Sequence, residues 1–181
     1  MKKLLLICYL LAPALLFAQS EEKIKKQVEA DYTYLETLYK HLHQNPELSF
    51  QEKESAARMA KELKAMGFEV TENIGGYGVV GVLKNGEGKT VWVRTDTDGL
   101  PIKEATGLDY ASKAEGKDDD GNAVPAMHGC GHDMHMTVWT GVARLLANMK
   151  KDWKGTIVML AQPAEERGSG ARMMLEDKLF E

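Results

Sequence analysis

Cysteine is nearly absent. The 181 residues hold two, Cys8 and Cys130, and Cys8 lies in an apolar N-terminal stretch that reads as a removable leader. The rest of the chain has a single thiol, so no intrachain disulfide can staple it. Basic runs are also missing. With 23 lysines and arginines against 27 acidic residues and a net charge of −4, no stretch offers the clustered cations that nucleic acid needs. No apolar run reaches the roughly 20 residues that would span a bilayer. Internal repeats and low-complexity tracts are lacking too. What is present, 44% hydrophobic and 28% charged residues, is the composition of a soluble globular chain with one sizeable core.

The N-terminus has the layout of a secretory leader. Lys2 and Lys3 form a basic start, Leu4 to Phe17 an apolar run of 14 residues, and cleavage could follow Ala18. The run is too short to anchor the chain in a membrane, and Leu5-Leu6-Ile7-Cys8 is a poor lipoprotein box. Removing residues 1–18 takes two lysines away and leaves a formal charge of −6. The expectation is an exported chain, periplasmic or secreted, with residues 19–181 forming the functional part and no stable membrane insertion. A lone thiol sent to an oxidising compartment needs a reason, and metal ligation supplies one.

Periodicity then gives the elements. Residues 21–43 read as a helix with Ile24, Val28, Leu35, Leu38, Tyr39 and Leu42 on one face. Asn45-Pro46 ends it. His41 and His43, near its C-terminus, are expected on the surface rather than as ligands. Ser49-Phe50-Gln51-Glu52 matches a capping box, with Ser49 capping a helix whose face is Ala56, Met59, Ala60, Leu63 and Met66. Gly67 stops that helix. Strands follow at 68–74, 79–83 and 91–95, and Asn85-Gly86 predicts a hairpin between the last two. Gly76-Tyr77-Gly78-Val79-Val80-Gly81 fits a dinucleotide fingerprint only formally, because a strand rather than a helix follows it. Residues 103–127 form a polar connection. Its segment Lys117 to Asn122 lacks the glycine position and terminal glutamate of a calcium loop and reads as a solvated turn. A helix from 134 to 150, with Val138, Val142, Leu145, Leu146 and Met149 on one side, leads to a strand near 155–161 and another helix at 170–179.

Chemistry concentrates in three places. His128-Gly129-Cys130-Gly131-His132-Asp133-Met134-His135 packs thiol, imidazole and carboxylate into eight residues at a helix N-terminus. These are the groups that hold transition metals. The bland alternative is a polar turn whose histidines merely cap the helix. Strand 91–95, the helix and strand 156–161 together make a βαβ unit, which is parallel with a right-handed crossover. Ligands bind beyond the carboxyl ends of such strands. There the first strand runs into Asp96-Thr97-Asp98 and the second into Gln162-Pro163-Ala164-Glu165-Glu166, so three knots of potential ligands meet on one rim. Asp98 is placed to orient a ligand imidazole. Of the two adjacent glutamates, one can ligate while the other takes a proton from water.

At these residues the chain resembles the M20 family of metallopeptidases, and within it the amidohydrolase branch of hippurate hydrolase and the auxin-conjugate amidohydrolases. The resemblance rests on Arg94 to Ile102, Met127 to Asp133, and Gln162 to Glu166, with His43 to Phe50 resembling the family's first helix-to-helix corner. It implies an α/β fold: a mostly parallel sheet flanked by helices, the N-terminal portion of a zinc-peptidase-like catalytic domain. It also implies hydrolysis of an amide next to a free carboxylate, in N-acyl amino acids or small peptides. Two divalent ions per intact site are implied, from among zinc, manganese, cobalt and nickel. Carried over, Cys130, His132 and Glu166 are metal ligands, Glu165 is the general base and Asp98 supports the site. Asp96 stands where other branches have a ligand histidine, and Cys130 substitutes for it. Thr97, Gly99 and Arg167 depart from the family pattern. The resemblance further implies a ligand histidine, a lid domain and a last histidine beyond Glu181, with a homodimer among the assemblies of the longer protein. The 181 residues alone are then expected to be inactive.

Two other functions compete. Cys130 could act as a nucleophile with a nearby histidine as base, which leaves Glu165, Glu166 and Asp98 idle. A non-catalytic metal-binding fragment is the third reading.

Overall fold

The computed structural model describes residues 21–180, so the expected leader at 1–18 lies outside the described residues. The chain forms two units, divided after Thr33. The first contributes residues 21–33 of helix α1 (Lys2–Gln44), where Ile24 and Val28 are exposed. The second begins at Tyr34 and carries every other element. Among the described residues no helix is long and apolar enough to cross a membrane.

From Leu38 onward the α1 stripe is buried, and it meets α2 (Lys53–Ala65) in one core with Leu42, Met59 and Leu63. Gly67 ends α2 at φ 81°, as a C-terminal glycine does. The helix start differs from expectation. Ser49 is not its cap, because the helix begins at Lys53 with Glu52 before it. Its first free N–H groups are taken by the Glu47 carboxylate, which accepts from Glu54 N at 3.0 Å and Ser55 N at 2.7 Å.

The strands are β1 (Glu69–Ile74), β2 (Gly78–Asn85), β3 (Thr90–Asp96), the short pair β4 (Glu115–Lys117) and β5 (Ala123–Pro125), and, after α3 (His132–Asn148), β6 (Gly155–Gln162). Helix α4 (Gly170–Glu176) follows. The main sheet runs β1-β2-β6-β3. The α/β class with a central sheet flanked by helices holds, yet in these strands the sheet is mixed, with β6 antiparallel to β2 and parallel to β3. No hairpin joins β2 to β3, because β6 lies between them. Asn85 donates its side-chain amide to the carbonyls of Lys150 and Trp153, and Thr156 N donates to Lys89 O. The chain between β2 and β3 is thus tied to the start of β6, which splits the two strands.

The expected βαβ unit is β3–α3–β6, with Asp96 opposite Gln162 at the carboxyl end. Helix α3 presents a different face from the one that its apolar count suggests. Met136, Trp139, Thr140 and Ala143 are buried, while Val138 is 56% exposed. Small Thr140 and Ala143 let the helix lie close on the sheet, and Trp139 Nε1 donates to Val93 O. Beyond the parallel pair, β4 and β5 brace the 103–127 connection, and its turn folds on Asp118, which accepts the N–H groups of Asp120 and Asn122.

Candidate metal centre

Three turns meet at the carboxyl end of β3 and β6. Backbone geometry aims each of them. Gly131, at φ 77°, lets the chain swing from Cys130 directly into α3, a conformation that a side chain at that position resists. Ala164 takes φ 47° without being glycine and turns the chain after β6 so that Glu165 and Glu166 face the α3 N-terminus. Gly170 closes this turn, since a Cβ there would fall 1.6 Å from the Pro163 carbonyl oxygen.

Asp98 is the hub, and it is 1% exposed. Its Oδ2 accepts from Ser49 Oγ at 2.6 Å and from Glu166 N at 3.0 Å. Its backbone carbonyl accepts from His132 Nδ1 at 2.8 Å, with Oδ1 at 3.4 Å from the same nitrogen. A carbonyl can only accept, so Nδ1 carries a proton, and Nε2 is the nitrogen that faces a metal once its own proton is displaced. The expected orientation of an imidazole by Asp98 is present, with the main chain making the shorter bond. Around His132 Nε2 stand Glu165 Oε2 and Glu166 Oε1, each at 3.8 Å, and Asp96 Oδ2 at 3.9 Å. Asp96 Oδ1 pairs with Arg94, which also donates to Gln162 Oε1.

Four carboxylates thus share one rim with few cations. Burial works against charge on His132, but its bonds to Asp98 and the negative Asp96 outweigh that and push its pKa up to about 9. Burial likewise works to raise the Asp98 carboxyl, yet hydrogen bonds from His132, Ser49 and the Glu166 backbone hold it below the ordinary range. At Cys130 the adjacent Glu166 carboxylate, by hydrogen bond and charge, raises the thiol, and slight burial and Glu165 add to it. A nucleophilic cysteine needs the opposite shift.

The donor set fits a divalent ion. Ligand atoms of Cys130, His132 and Glu166 lie within 4.8 Å of one another, and those of Asp96, His132 and His135 form a second such group. Buried Glu166 Oε1 and Asp98 Oδ1 have no hydrogen-bond partner among the described residues, the state that a cation relieves. His132 has one nitrogen to give, so a single ion can use it in only one of the two groups. His135, stacked on His132 at 5.4 Å between ring centroids and three residues along the same helix, belongs to the eight-residue cluster but not to the ligands that the resemblance carries over.

Sequence reasoning also placed His43 wrongly. It is 6% exposed, its Nδ1 lies 2.6 Å from Asp133 Oδ2 and its Nε2 3.1 Å from Glu104 Oε1. Burial disfavours its charge, but the two carboxylates outweigh burial and raise its pKa. His43 is therefore an inner strut that ties α1 to the first turn of α3.

Comparisons with known proteins agree with this geometry. The sequence pattern of peptidase family M20/M25/M40 matches residues 92–181. Hippurate hydrolase of Campylobacter jejuni is 42% identical over 173 residues, which are 94% of this chain and 39% of that protein. The chain belongs to the M20 peptidase family. An IAA-amino acid hydrolase of Arabidopsis thaliana is 37% identical over 88% of this chain and 33% of its own. The crystal structure of a Bacillus subtilis protein described as a dinuclear metal binding peptidase of the M20 family matches with a TM-score of 0.73 and 35% identity. That match covers 83% of this chain and 40% of the other. The chain spans about two fifths of the length of hippurate hydrolase. The metal binding named for the Bacillus subtilis protein agrees with the groups of potential metal ligands found here.

Proposed function

We propose that this M20 chain carries the metal-binding half of an amidohydrolase that cleaves N-acyl amino acids or small peptides. The observation that carries the reading is the convergence of Cys130, His132 and Glu166 within 4.8 Å beside a further carboxylate, Glu165, that is 41% exposed. Cys130, His132 and Glu166 would hold an ion. A divalent ion supplies Lewis acidity and brings the pKa of water down to about 7. Glu165 takes the proton as the water oxygen attacks the amide carbonyl, and delivers it to the leaving nitrogen as the C–N bond breaks. Asp98 fixes the His132 tautomer and the direction of Glu166 throughout. The dinuclear relative supports two ions in the longer protein, from among zinc, manganese, cobalt and nickel. On this reading the 181 residues bind metal but do not turn over substrate. Residues 1–18 act as the export leader, which N-terminal sequencing of exported material tests by a start near Gln19.

The deciding experiment is Cys130→Ser in the longer protein, with bound metal and hydrolysis of an N-acyl amino acid measured together. Both should fall, because a neutral hydroxyl replaces a thiolate. Lost turnover with metal retained would mean that the thiol is a nucleophile instead.

A further inference from the structure

Glu52 is a carboxyl group where apolar chemistry is expected. It is 0% exposed and lies on the same helical stripe as Ala56, Met59, Ala60 and Leu63, all core residues. Among the described residues no basic side chain pairs with it. Its Oε1 accepts the Ala164 N–H at 2.6 Å, and its Oε2 is buried with no partner among the described residues. Burial without a counter-charge pushes its pKa up to about 7, even though the Ala164 N–H pulls the other way. For stability alone an apolar residue would serve better at this position.

The partner of that carboxyl explains it. Ala164 is fully buried and held at φ 47°, a conformation that L side chains resist. Its carbonyl is taken by Ser169 N and Gly170 N, and Glu165 O by Gly168 N. The N–H side of the same residue is fixed by Glu52. The next two residues are Glu165 and Glu166. Together with the bond from Glu166 N to Asp98, the turn is gripped at two amides, one on each side of Glu165.

We infer that Glu52 is a positioning residue of the metal centre, whose buried carboxyl holds the Ala164 N–H, keeps that residue left-handed and so aims Glu165 and Glu166 at the ligand rim. This rests on the reading of Glu166 as a ligand. Glu52 touches no ligand and acts only through the turn.

The test uses the full 181-residue chain and Co²⁺ as probe. A thiolate-to-cobalt absorption band reports Cys130 ligation, and its titration gives affinity. The Ala164 amide proton, shifted downfield by a short bond to a carboxyl, is read by NMR without metal. Glu52→Gln keeps an acceptor oxygen, so the amide stays held and Co²⁺ affinity stays within about threefold. Glu52→Leu should lose the amide signature and bind Co²⁺ about 10- to 100-fold more weakly, the usual worth of a partner that orients a ligand. If Glu52→Leu does not fold, Glu52→Asp, one methylene short of the amide, replaces it. Ala164→Gly adds a readout that simple destabilisation would not move. Glycine accepts φ 47° unaided, so the Glu52→Leu penalty should shrink in that background. An equal penalty in both backgrounds, or an Ala164 amide unmoved by Glu52→Leu, overturns the positioning role while the metal centre stands. A wild-type chain with no thiolate-to-cobalt band overturns the metal centre itself, and the role of Glu52 with it.

Discussion

The two sides of the rim differ in how they are held. On one side, Asp98 and His132 are 1% and 3% exposed, joined to each other and to Ser49 by bonds of 2.6 to 2.8 Å. Behind them His43, Asp133 and Glu104 form a second buried layer. On the other side, Cys130 is exposed and Glu165 has 41% of its side chain in solvent. Glu165 makes no short side-chain hydrogen bond among those described, and its carboxylate stops 3.8 Å from His132. The buried side sets tautomer and direction before any ion arrives. On the proposed reading, the open side supplies groups that must move: a thiol that loses its proton on ligation and a carboxylate that cycles a proton. Burial suits the first task, because a fixed lone pair needs neighbours, and solvent suits the second.

The sharpest way to break this comparison is at the glutamates. Glu165→Gln keeps shape and removes basicity. In the longer enzyme it should cost on the order of 10²–10⁴ in kcat, the usual worth of a positioned base, with metal content and KM little changed. Glu166→Gln should instead lower metal occupancy, with activity partly regained at excess metal. Mass spectrometry for metal alongside an N-acyl amino acid assay separates the two. If Glu165→Gln sheds the metal and Glu166→Gln keeps it, the two roles are exchanged.

The buried layer has its own signature in acid. His128 is 5% exposed, neither ring nitrogen has a hydrogen-bond partner among the described residues, and burial pushes its pKa down to about 4. It is neutral in the fold, while the unfolded chain takes up a proton near pH 6.5. The stability it lends is complete above pH 6.5 and drains away between 6.5 and about 4, to a total on the order of 3 kcal/mol. Denaturant titrations of wild type and His128→Gln at pH 4.5 and 7.5 measure this as a difference. Parallel pH profiles for the two proteins would show that His128 is hydrated after all. His43 slopes the other way. Its raised pKa lends stability that is present below pH 6.5 and lost as pH climbs through its folded value.

How far the sequence could be read follows from what each signal depends on. The βαβ unit was legible because strand and helix periodicities are local, and the carboxyl-end rule then brought Asp98, Cys130, His132, Glu165 and Glu166 together. The order of strands was not, because Asn85-Gly86 is a good turn whether β3 or β6 comes back beside β2. The buried face of α3 differs from the expected stripe because it joins Met136 and Trp139 to small Thr140 and Ala143, whose contribution an apolar tally underweights. His43 and Glu52 were hidden for another reason. A charged residue on a core stripe is an exception that only its distant partners, Asp133 and Ala164, make affordable. Glu52 did leave a trace, since it falls in register with Ala56, Met59 and Leu63.

Asp98 tests the fixed side more directly. Asp98→Asn keeps the backbone carbonyl for His132 but replaces a charge that supports the imidazole and the Glu166 amide. Metal affinity should fall about 10- to 100-fold. A titration with Co²⁺ that shows no change would mean that the main chain alone orients His132.

The smallest expected effect sharpens the comparison most finely, at Ser49. Its position three residues before Glu52 marks it as a helix cap in the sequence, yet its hydroxyl donates to Asp98 Oδ2 at 2.6 Å, and the α2 amides turn to Glu47 instead. These two roles have separable consequences. A cap acts on the helix, so Ser49→Ala would lower the melting temperature and leave the metal alone. A donor to Asp98 acts on the site. Its loss leaves Oδ2 with the Glu166 N–H as its remaining described partner, which is tolerable, so the cost is that of one hydrogen bond to a charged group, about 1.5–3 kcal/mol at most. Oδ2 keeps a donor, so the measured loss should lie at the low end, a several-fold weakening of Co²⁺ binding with little change in melting temperature. Ser49→Thr, which retains the hydroxyl, should restore it. Loss of stability without loss of affinity would return Ser49 to the helix and leave Asp98 fixed by His132 and Glu166 alone.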